Sequence, residues 1–379
     1  MRFQAAILAF FSFTLPVLSQ APDDFNPSPD NSVFGLAALP DQRVIATGVF
    51  QNVALTARPT IARILPAGDP DPAFSAGTDG FNTLAALVQP DGKTVIAGAF
   101  TAVNGVPRGN IARLNSDGSV DLEFEASSPV SVHALVLQAD GKIIEAGYPI
   151  GTGNSPIRRF KPNGTIDSTF NATASGTIDA LALQPDGKVL IGGSFHLING
   201  QSRNAIARLN ANGTLDTSFN ASVDVYVYAL VVQPDGKILV GGSFGAVNGV
   251  PRTSLARLNA NGTLDTAFNP GLAGDGSHGS VNSFALQADG RIIVGGDFIT
   301  LAGGNRKNIG RLNADGTLDA TFNSSTNGSV NGLALQQNGK LIVGGAFSQL
   351  GGQPRFLLGR LTASGIATEN LVLNGTTLS

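Results

Sequence analysis

The sequence contains no cysteine and no tryptophan, and it is poor in charge. Without cysteine the chain can form no disulfide bond and no thiolate centre, and most kinds of zinc site are excluded. Charged residues make up 13% of the chain and the formal net charge is −3, so no basic field indicates a nucleic-acid partner. Glycine is abundant at 48 residues, which favours a β-rich, turn-rich chain over a helical one.

The first 19 residues have the layout of a secretory signal peptide. Arg2 gives a positive start, residues 5–18 form an apolar run, and Val17-Leu18-Ser19 is a small-residue cleavage site before Gln20. We expect cleavage after Ser19 and a secreted or cell-surface protein. No later stretch is apolar enough to predict a membrane span.

A motif of about 50 residues recurs seven times and occupies nearly all of the remaining chain. Its most regular copies are QPDGKVLIGGSF (184–195) and QPDGKILVGGSF (233–244). The copies can be aligned on one turn residue, and the separations are then 50, 49, 46, 49, 54 and 49 residues. We number the units one to seven by these turn residues, which are Asp41, Asp91, Asp140, Asp186, Asp235, Asp289 and Asn338.

Each unit is predicted to be an antiparallel meander of four strands. In unit five, VYALVVQ (227–233) and KILVGGSF (237–244) flank one Asp-Gly turn, and LARLN (255–259) and TLDTAF (263–268) flank a second turn. Radial closure of such sheets removes exposed strand edges. We therefore predict an all-β, seven-bladed β-propeller over residues 20–365. A β-solenoid is the alternative, but its repeats are usually shorter and parallel.

The two ends of the chain are expected to share one blade. Unit seven reads GIATEN (365–370) where other units carry an LDxxF segment, and DDFNPS (23–28) resembles AFNPG (267–271). We predict that Phe25 and Asn26 supply the outer strand of unit seven, so that an N-terminal strand closes the ring. The alternative closing strand is Leu371 to Leu373, within the C-terminal tail 366–379.

The repeat also resembles a known family. The stretch LQPDGKVLIGGSF…NGQSRNAIARLNANGTLDTSFN (183–220) resembles the delta-60 repeat, which is found in exported bacterial proteins and is understood to form β-propellers. The resemblance covers essentially the whole chain after residue 19. It implies a propeller fold and export from a bacterial cell, and it implies no particular reaction.

Most basic residues recur at fixed places in the repeat, which indicates a structural role. Three sets of seven, seven and six residues contain 20 of the 24 basic residues. One set follows the first turn (Arg43, Lys93, Lys142, Lys188, Lys237, Arg291, Lys340), one lies in the third strand (Arg63, Arg113, Arg159, Arg208, Arg257, Arg311, Arg360), and one follows the second strand (Arg58, Arg108, Arg203, Arg252, Arg306, Arg355).

Strand register predicts a carboxylate partner for the third-strand arginines. With a loop at 211–213, Arg208 faces Asp216 across the second turn. The same offset pairs Arg113–Asp121, Arg159–Asp167, Arg257–Asp265 and Arg311–Asp319. This turn resembles part of a calcium loop, but the arginine stands at the first ligand position. We therefore predict neither a metal nor a cofactor.

One position breaks the regularity of the repeat. It lies seven residues before each turn residue and reads Phe34, Leu84, His133, Asp179, Tyr228, Asn282 and Asn331, whereas the preceding residue is always β-branched. A varied ring at the loop-side end of the first strands is typical of a binding site. We name His133, Asp179, Tyr228, Asn282 and Asn331 as candidate ligand-binding residues, together with Arg203 and Arg252. The alternatives are an unconstrained exposed position and purely structural arginines.

Two units depart from the pattern elsewhere. Unit three has Glu145 in an aliphatic slot and Tyr148 and Pro149 where other units have a small residue and phenylalanine. Unit six has a long connection that contains Asp275 and His278. Such departures indicate either an added function or decay of the repeat.

No catalytic residue is predicted. The three histidines show no metal-binding spacing, and neither HExxH nor a phosphate-binding GxxxxGK[ST] occurs. We predict an exported, monomeric module that binds or displays a glycan or a surface protein, without nucleic acid or a membrane span. The alternatives are a carbohydrate hydrolase or lyase that uses funnel carboxylates such as Glu145 and Asp179, and a structural spacer of the cell surface.

Overall fold

The computed structural model describes residues 20–151, 153–274 and 279–362. The predicted signal peptide 1–19, Asp275, His278, and the tail from residue 363 with its alternative closing strand lie outside the described residues. Within the described ranges all regular secondary structure is β. A search of the same residues finds no helix long and apolar enough to cross a membrane.

Every repeat unit contributes three antiparallel strands in sequence order, and consecutive strands pair with each other. The first strands are Val33–Ala38, Asn82–Val88, Val130–Leu137, Thr177–Leu183, Tyr226–Val232, Ser280–Leu286 and Val330–Leu335. The second strands are Val44–Gly48, Thr94–Ala99, Ile143–Pro149, Val189–Ser194, Ile238–Ser243, Ile292–Asp297 and Leu341–Gly345. The third strands are Ile61–Ile64, Ile111–Leu114, Ser155–Phe160, Ile206–Leu209, Leu255–Leu258, Ile309–Leu312 and Leu358–Leu361.

Additional short strands lie in the connections between the main strands. In the described residues, every unit except unit three has a two-stranded hairpin between its second and third strands. The hairpins are Asn52–Val53 with Thr56–Ala57, Ala102–Val103 with Val106–Pro107, Leu197–Ile198 with Gln201–Ser202, Ala246–Val247 with Val250–Pro251, Thr300–Leu301 with Gly304–Asn305, and Gln349–Leu350 with Gln353–Pro354. Two further strands, Ala172–Ala174 and Leu272–Ala273, pair with the hairpins of units four and six. Ala172–Ala174 also pairs over three residues with the third strand of unit three, Ser155–Phe160.

The hydrophobic core lies between neighbouring sheets. One cluster contains Leu190 and Phe219 of unit four and Val227, Val240 and Phe244 of unit five, all less than 2% exposed. The middle strands are buried on both faces, which explains their continuous apolar sequence. Each first strand contacts the first strand of the next unit, and that of unit seven contacts that of unit one.

The predicted fourth strand is wrong in its regular form in every unit except unit three, whose third strand pairs with Ala172–Ala174. In unit five the TLDTAF segment makes one isolated bridge, Leu258 with Leu264, and then turns. The reason is Asp265, whose Oδ1 accepts the backbone N–H of Ala267 at 3.2 Å and whose carbonyl accepts that of Phe268. Aspartate that binds the backbone two residues ahead favours a turn over an extended strand.

The predicted arginine–aspartate pairs are confirmed. Arg208 Nε donates to Asp216 Oδ2 at 2.8 Å, and the other four predicted pairs lie at 2.7–2.9 Å. The same Asp216 oxygen accepts Lys188 Nζ at 2.8 Å. The Arg208 guanidinium also lies 4.7 Å from the centre of the Phe219 ring, and its Nη1 donates to the carbonyl of Ala260 in the next unit. The pair therefore fastens each turn and links adjacent sheets.

In unit seven, the N-terminal segment takes the place that the aspartate-containing turn segment has in the other units. Pro22 forms a bridge with Leu361, and Asp23 Oδ2 accepts both Arg360 Nε and Lys340 Nζ at 2.8 Å. The Phe25 ring lies 4.7 Å from the Arg360 guanidinium carbon. The predicted strand at Phe25 and Asn26 is absent. The contact is one bridge at Pro22, with backbone hydrogen bonds from Asp23 to Arg360 and from Thr362 to Ala21, both 3.2 Å, and with side-chain bonds.

Candidate functional site

The irregular position of the repeat is a β-bulge in every unit. Between its first and second strands each unit shifts register across one residue; in unit five Val227 pairs with Gly242 and Ala229 pairs with Gly241. The skipped residues are Phe34, Leu84, His133, Asp179, Tyr228, Asn282 and Asn331. A bulge leaves one residue unpaired and redirects its side chain. The varied position is therefore a consequence of backbone geometry that all seven units share.

His133 and Asp179 meet across units three and four. His133 Nδ1 lies 2.8 Å from Asp179 Oδ1, and the two side chains are 26% and 23% exposed. A carboxylate at this distance fixes the orientation of the imidazole. The half-buried pair leaves part of each side chain open to solvent, where a ligand could reach it.

Tyr228 continues the same row on unit five. Its ring stacks on Tyr226, with centroids 5.9 Å apart and an interplanar angle of 9°. Burial raises the pKa of the Tyr228 hydroxyl, and the negative charge of Asp179 and the neighbouring Tyr226 act in the same direction. The first strands of units three, four and five contact one another in order, and His133, Asp179 and Tyr228 lie at the same bulge of these strands, so they form one row with Tyr226.

Tyr226 was absent from the sequence-based prediction. It lies two residues before Tyr228, and the stacked rings show that the two side chains lie on the same side of the strand. It is 41% exposed, although it is a large aromatic residue. The Tyr-x-Tyr alternation at the start of a strand is the signal that could have identified it.

The two asparagines of the ring bind neighbouring backbone. Asn282 Nδ2 donates to the carbonyl of Val330 at 3.1 Å, and Asn331 Nδ2 donates to the carbonyl of Val33 at 3.2 Å. Each bond crosses to the next unit. The amide groups therefore help to hold units six, seven and one together.

The candidate arginines directly follow the hairpins of units four and five and bind backbone carbonyls. Arg252 is 7% exposed, and its Nη atoms donate to Pro251 at 2.8 Å and to Thr266 at 3.4 Å. Arg203 Nη1 donates to Ser202 at 2.6 Å. The structure gives these arginines no contact with the row of His133, Asp179 and Tyr228 among the described residues.

Glu145 lies apart from the exposed row. It is 0% exposed on the second strand of unit three, in register with Leu135 and Arg158. Burial raises the pKa of Glu145 to about 7, against the opposing effects of the Ser128 hydroxyl and the Arg158 charge. Because its carboxylate oxygens are buried, Glu145 cannot act on a substrate together with Asp179.

Two further patterns yield no reactive centre. GGSFG (241–245) fits the spacing of a serine nucleophile motif, but Ser243 ends a strand and pairs with Tyr226, where that motif needs a turn into a helix. Among the residues that the structure describes, no three histidine, aspartate or glutamate side chains are grouped so that they could hold a metal ion.

Comparisons with known proteins confirm the propeller fold. The structure of a streptogramin B lyase matches with a TM-score of 0.56 and 14% identity, over 90% of this chain and 97% of that one. The WD40 β-propeller domain of Doa1 matches with a TM-score of 0.56 and 15% identity, over 89% and 95% of the two chains. The structure of virginiamycin B lyase from Staphylococcus aureus matches with a TM-score of 0.56 and 13% identity, over 89% of this chain and 98% of that one. At these identities the likeness concerns the fold alone.

The sequence comparison identifies the family. No curated protein sequence matches the chain. A family model described as "Domain of unknown function (DUF5122) beta-propeller" matches residues 89–124, 138–170, 184–219, 233–268, 287–322 and 336–365. These matches fall on units two to seven and together cover more than half of the sequence. The chain therefore belongs to the DUF5122 β-propeller family.

Proposed function

We propose that this protein is an exported binding or display module that recognises a glycan through the row of His133, Asp179, Tyr226 and Tyr228. The observation that carries the proposal is the meeting of an aromatic pair and a hydrogen-bonded His–Asp pair on adjacent units. Aromatic faces accept the C–H side of a sugar ring, and carboxylate and imidazole groups bind its hydroxyls. The half-exposed side chains offer both kinds of contact on one face.

The proposed architecture is a ring of seven blades. It is supported by the contact of Val330–Leu335 with Val33–Ala38, and by Asp23, which gives unit seven the acid that every other unit carries in its own sequence. We further propose that the chain is one of the exported bacterial delta-60 repeat proteins, with residues 1–19 as signal peptide. The module is proposed to act as a monomer.

A glycan array probed with the full chain tests this proposal. Tyr226→Ala and Asp179→Asn are expected to weaken binding at least about tenfold, as expected when an aromatic anchor or a hydrogen-bonded group is removed. Leu84→Ala, at the same bulge in unit two, is the matched control and should bind normally. Equal binding by all three variants would refute the location of the site, and binding of a purified surface protein alone would change the class of partner.

A second candidate is a carbohydrate hydrolase or lyase. It is favoured by the His133–Asp179 pair, because a carboxylate on Nδ1 leaves Nε2 as a possible general base. Release of product from a polysaccharide, abolished by His133→Ala and unaffected by Glu145→Gln, would establish this reading. Binding without release of product would favour the binding module. A structural spacer would show neither activity.

A further inference from the structure

The segments that lead into the first strands contain acidic residues and no basic ones. Within the described residues these segments are 26–32, 75–82, 125–131, 171–177, 220–226, 269–274 and 323–329. Their charged residues are Asp30, Asp79, Glu125 and Asp224, and none is a lysine or an arginine. These segments therefore contribute a negative field at the end where the first strands begin.

Two sets of seven residues at the start of the first strands hold a single formal charge. One set consists of the bulge residues. The other set lies two positions earlier and consists of Ser32, Asn82, Ser131, Thr177, Tyr226, Ser280 and Ser329. Asp179 is the only aspartate, glutamate, lysine or arginine in the two sets. A ligand at this end of the strands therefore meets one carboxylate and no fixed cation.

The repeating basic residues lie elsewhere and already have partners. Two of the three sets lie at the opposite ends of the strands, where Lys237 Nζ and Arg257 Nε bind Asp265 Oδ2 at 3.0 and 2.8 Å. The third set binds backbone carbonyls, as Arg252 does. Within the described part of the chain, no lysine or arginine forms an ion pair with Asp179. The charge of Asp179 is therefore left for a ligand.

Asp179 has one carboxylate oxygen without a protein partner. Its Oδ1 lies 2.8 Å from His133 Nδ1, whereas its Oδ2 has no hydrogen-bond partner among the described residues. The side chain is 23% exposed, so a ligand can reach it. With a neutral imidazole the pair carries one net negative charge. A cationic N–H donor of a ligand would satisfy both the second oxygen and this charge.

The tyrosine pair adds a second group that attracts cations. The rings of Tyr226 and Tyr228 stack at 5.9 Å, and Tyr226 is 41% exposed. An ammonium group over the face of a tyrosine ring is attracted by the ring quadrupole. Asp224 lies two residues before Tyr226 and is exposed, and its Oδ1 accepts the N–H of Gly245 at 3.0 Å. Asp179 lies at the bulge of the neighbouring first strand, so acids precede and flank the aromatic pair.

This combination of groups discriminates among kinds of glycan. A uronic acid would be repelled by Asp179, since like charges at close range raise the free energy of the complex. A neutral sugar would use the tyrosine face and offer hydroxyls, but it would leave the charge of Asp179 without a counter-ion. A protonated amino sugar supplies charged N–H donors to the carboxylate and a cation to the tyrosines, and charge-assisted hydrogen bonds are stronger than neutral ones.

We propose that the glycan bound by His133, Asp179, Tyr226 and Tyr228 carries free, protonated amino groups, as in an oligomer of hexosamine without N-acetyl groups. The inference rests on the proposed function and names the class of glycan within it. One ammonium group donates to Asp179 Oδ2. The exposed tyrosine face holds the ring of the same or the adjacent sugar.

Calorimetric titration of the full chain at neutral pH with three probes tests the class of glycan. The probes are the glucosamine hexamer of chitosan, the N-acetylglucosamine hexamer of chitin, and hexalysine. The glucosamine hexamer is expected to bind at least about tenfold more tightly than the N-acetylated hexamer, which is the gain typical of one hydrogen bond to a charged group. In Asp179→Asn this preference should fall below about threefold. Asp69→Asn removes the same charge at the opposite end of the strands and should keep the preference of the unaltered protein. Melting of each variant shows whether it has folded.

Failure of this inference can be told apart from failure of the proposed function. If both hexamers bind equally and Tyr226→Ala weakens both, the site binds a glycan and the amino-sugar class is wrong. A preference that persists in folded Asp179→Asn would also overturn the inference, because the selective group would lie elsewhere. If hexalysine binds as tightly as the glucosamine hexamer or more tightly, the partner is a cationic peptide and the amino-sugar class is wrong. No binding of either hexamer or of any glycan on the array would refute both the inference and the proposed function.

Discussion

Arg360 Nε donates to Asp23 Oδ2 at 2.8 Å, although the two residues are 337 positions apart in the sequence. The distance matches that of Arg208 and Asp216, which are eight positions apart within unit four. The N-terminal segment thus supplies unit seven with an acid that the other units carry in their own turn. Long-range contacts of this kind hold the two ends of the repeat array together.

Loss of Asp23 should therefore destabilise the fold. Asp23→Ala strands two cations, Arg360 and Lys340, and we expect it to lower the free energy of unfolding by about 3 kcal/mol. Denaturant unfolding at neutral pH measures this change. Asp24→Ala, an exposed neighbour with the same loss of charge, should change stability by less than about 0.5 kcal/mol. Equal stability of the two variants would mean that the ion pairs of Asp23 with Arg360 and Lys340 do not stabilise the fold.

The turn aspartates should make the fold sensitive to acid. A hydrogen bond from the Thr169 hydroxyl, aided by Arg159, lowers the pKa of Asp167 to about 2 from an ordinary 3.8. A carboxyl with a lowered pKa stabilises the fold above about pH 4, and this contribution disappears as the pH falls towards 2. Melting temperature should fall over that range, and the slope should be smaller in Asp167→Asn. An unchanged slope in Asp167→Asn would contradict this role of Asp167.

The hairpin arginines are expected to act on stability. Arg252→Ala removes two bonds to backbone carbonyls from a buried position, so it should lower the free energy of unfolding by about 1–3 kcal/mol. Arg203→Ala, which loses one bond to Ser202, should cost less. Urea unfolding of both variants measures the difference. Reduced ligand binding at unchanged melting temperature would instead make these arginines ligand contacts.

Much of the fold could be predicted because the same pattern of strands and turn residues recurs seven times in the sequence. The offset from Arg208 to Asp216 is fixed by strand register, and the structure has the pair at 2.8 Å. The absence of a regular fourth strand in most units was harder to predict from the sequence. A segment such as TLDTAF has strand-like composition, and only the side-chain bond of its aspartate to the backbone bends it into a turn.

The candidate site was predictable as a position and not as a set of contacts. Variation at one place in a regular repeat made Asp179 and Tyr228 candidates, and that place is a bulge, where a residue is free of the pairing that constrains its neighbours. The same variation could not separate Asp179, which meets His133, from Asn331, which binds the backbone of unit one. That distinction depends on distances across blades, which no local pattern encodes.

Glu145 should make stability depend on pH in the opposite direction to the turn aspartates. Its pKa is raised from 4.5 to about 7 by burial, so the folded protein holds a proton that the unfolded chain releases. Stability from this group is full below about pH 4.5 and is lost as the pH rises through 7. The loss above pH 7 corresponds to about 3 kcal/mol at the conversion of 1.36 kcal/mol per pKa unit. Glu145→Gln, which stays neutral, should match the unaltered protein at pH 4.5 and exceed its stability at pH 8, as measured by urea unfolding at the two pH values. A constant difference between the two proteins at both pH values would mean that Glu145 keeps the same charge in the folded and unfolded states.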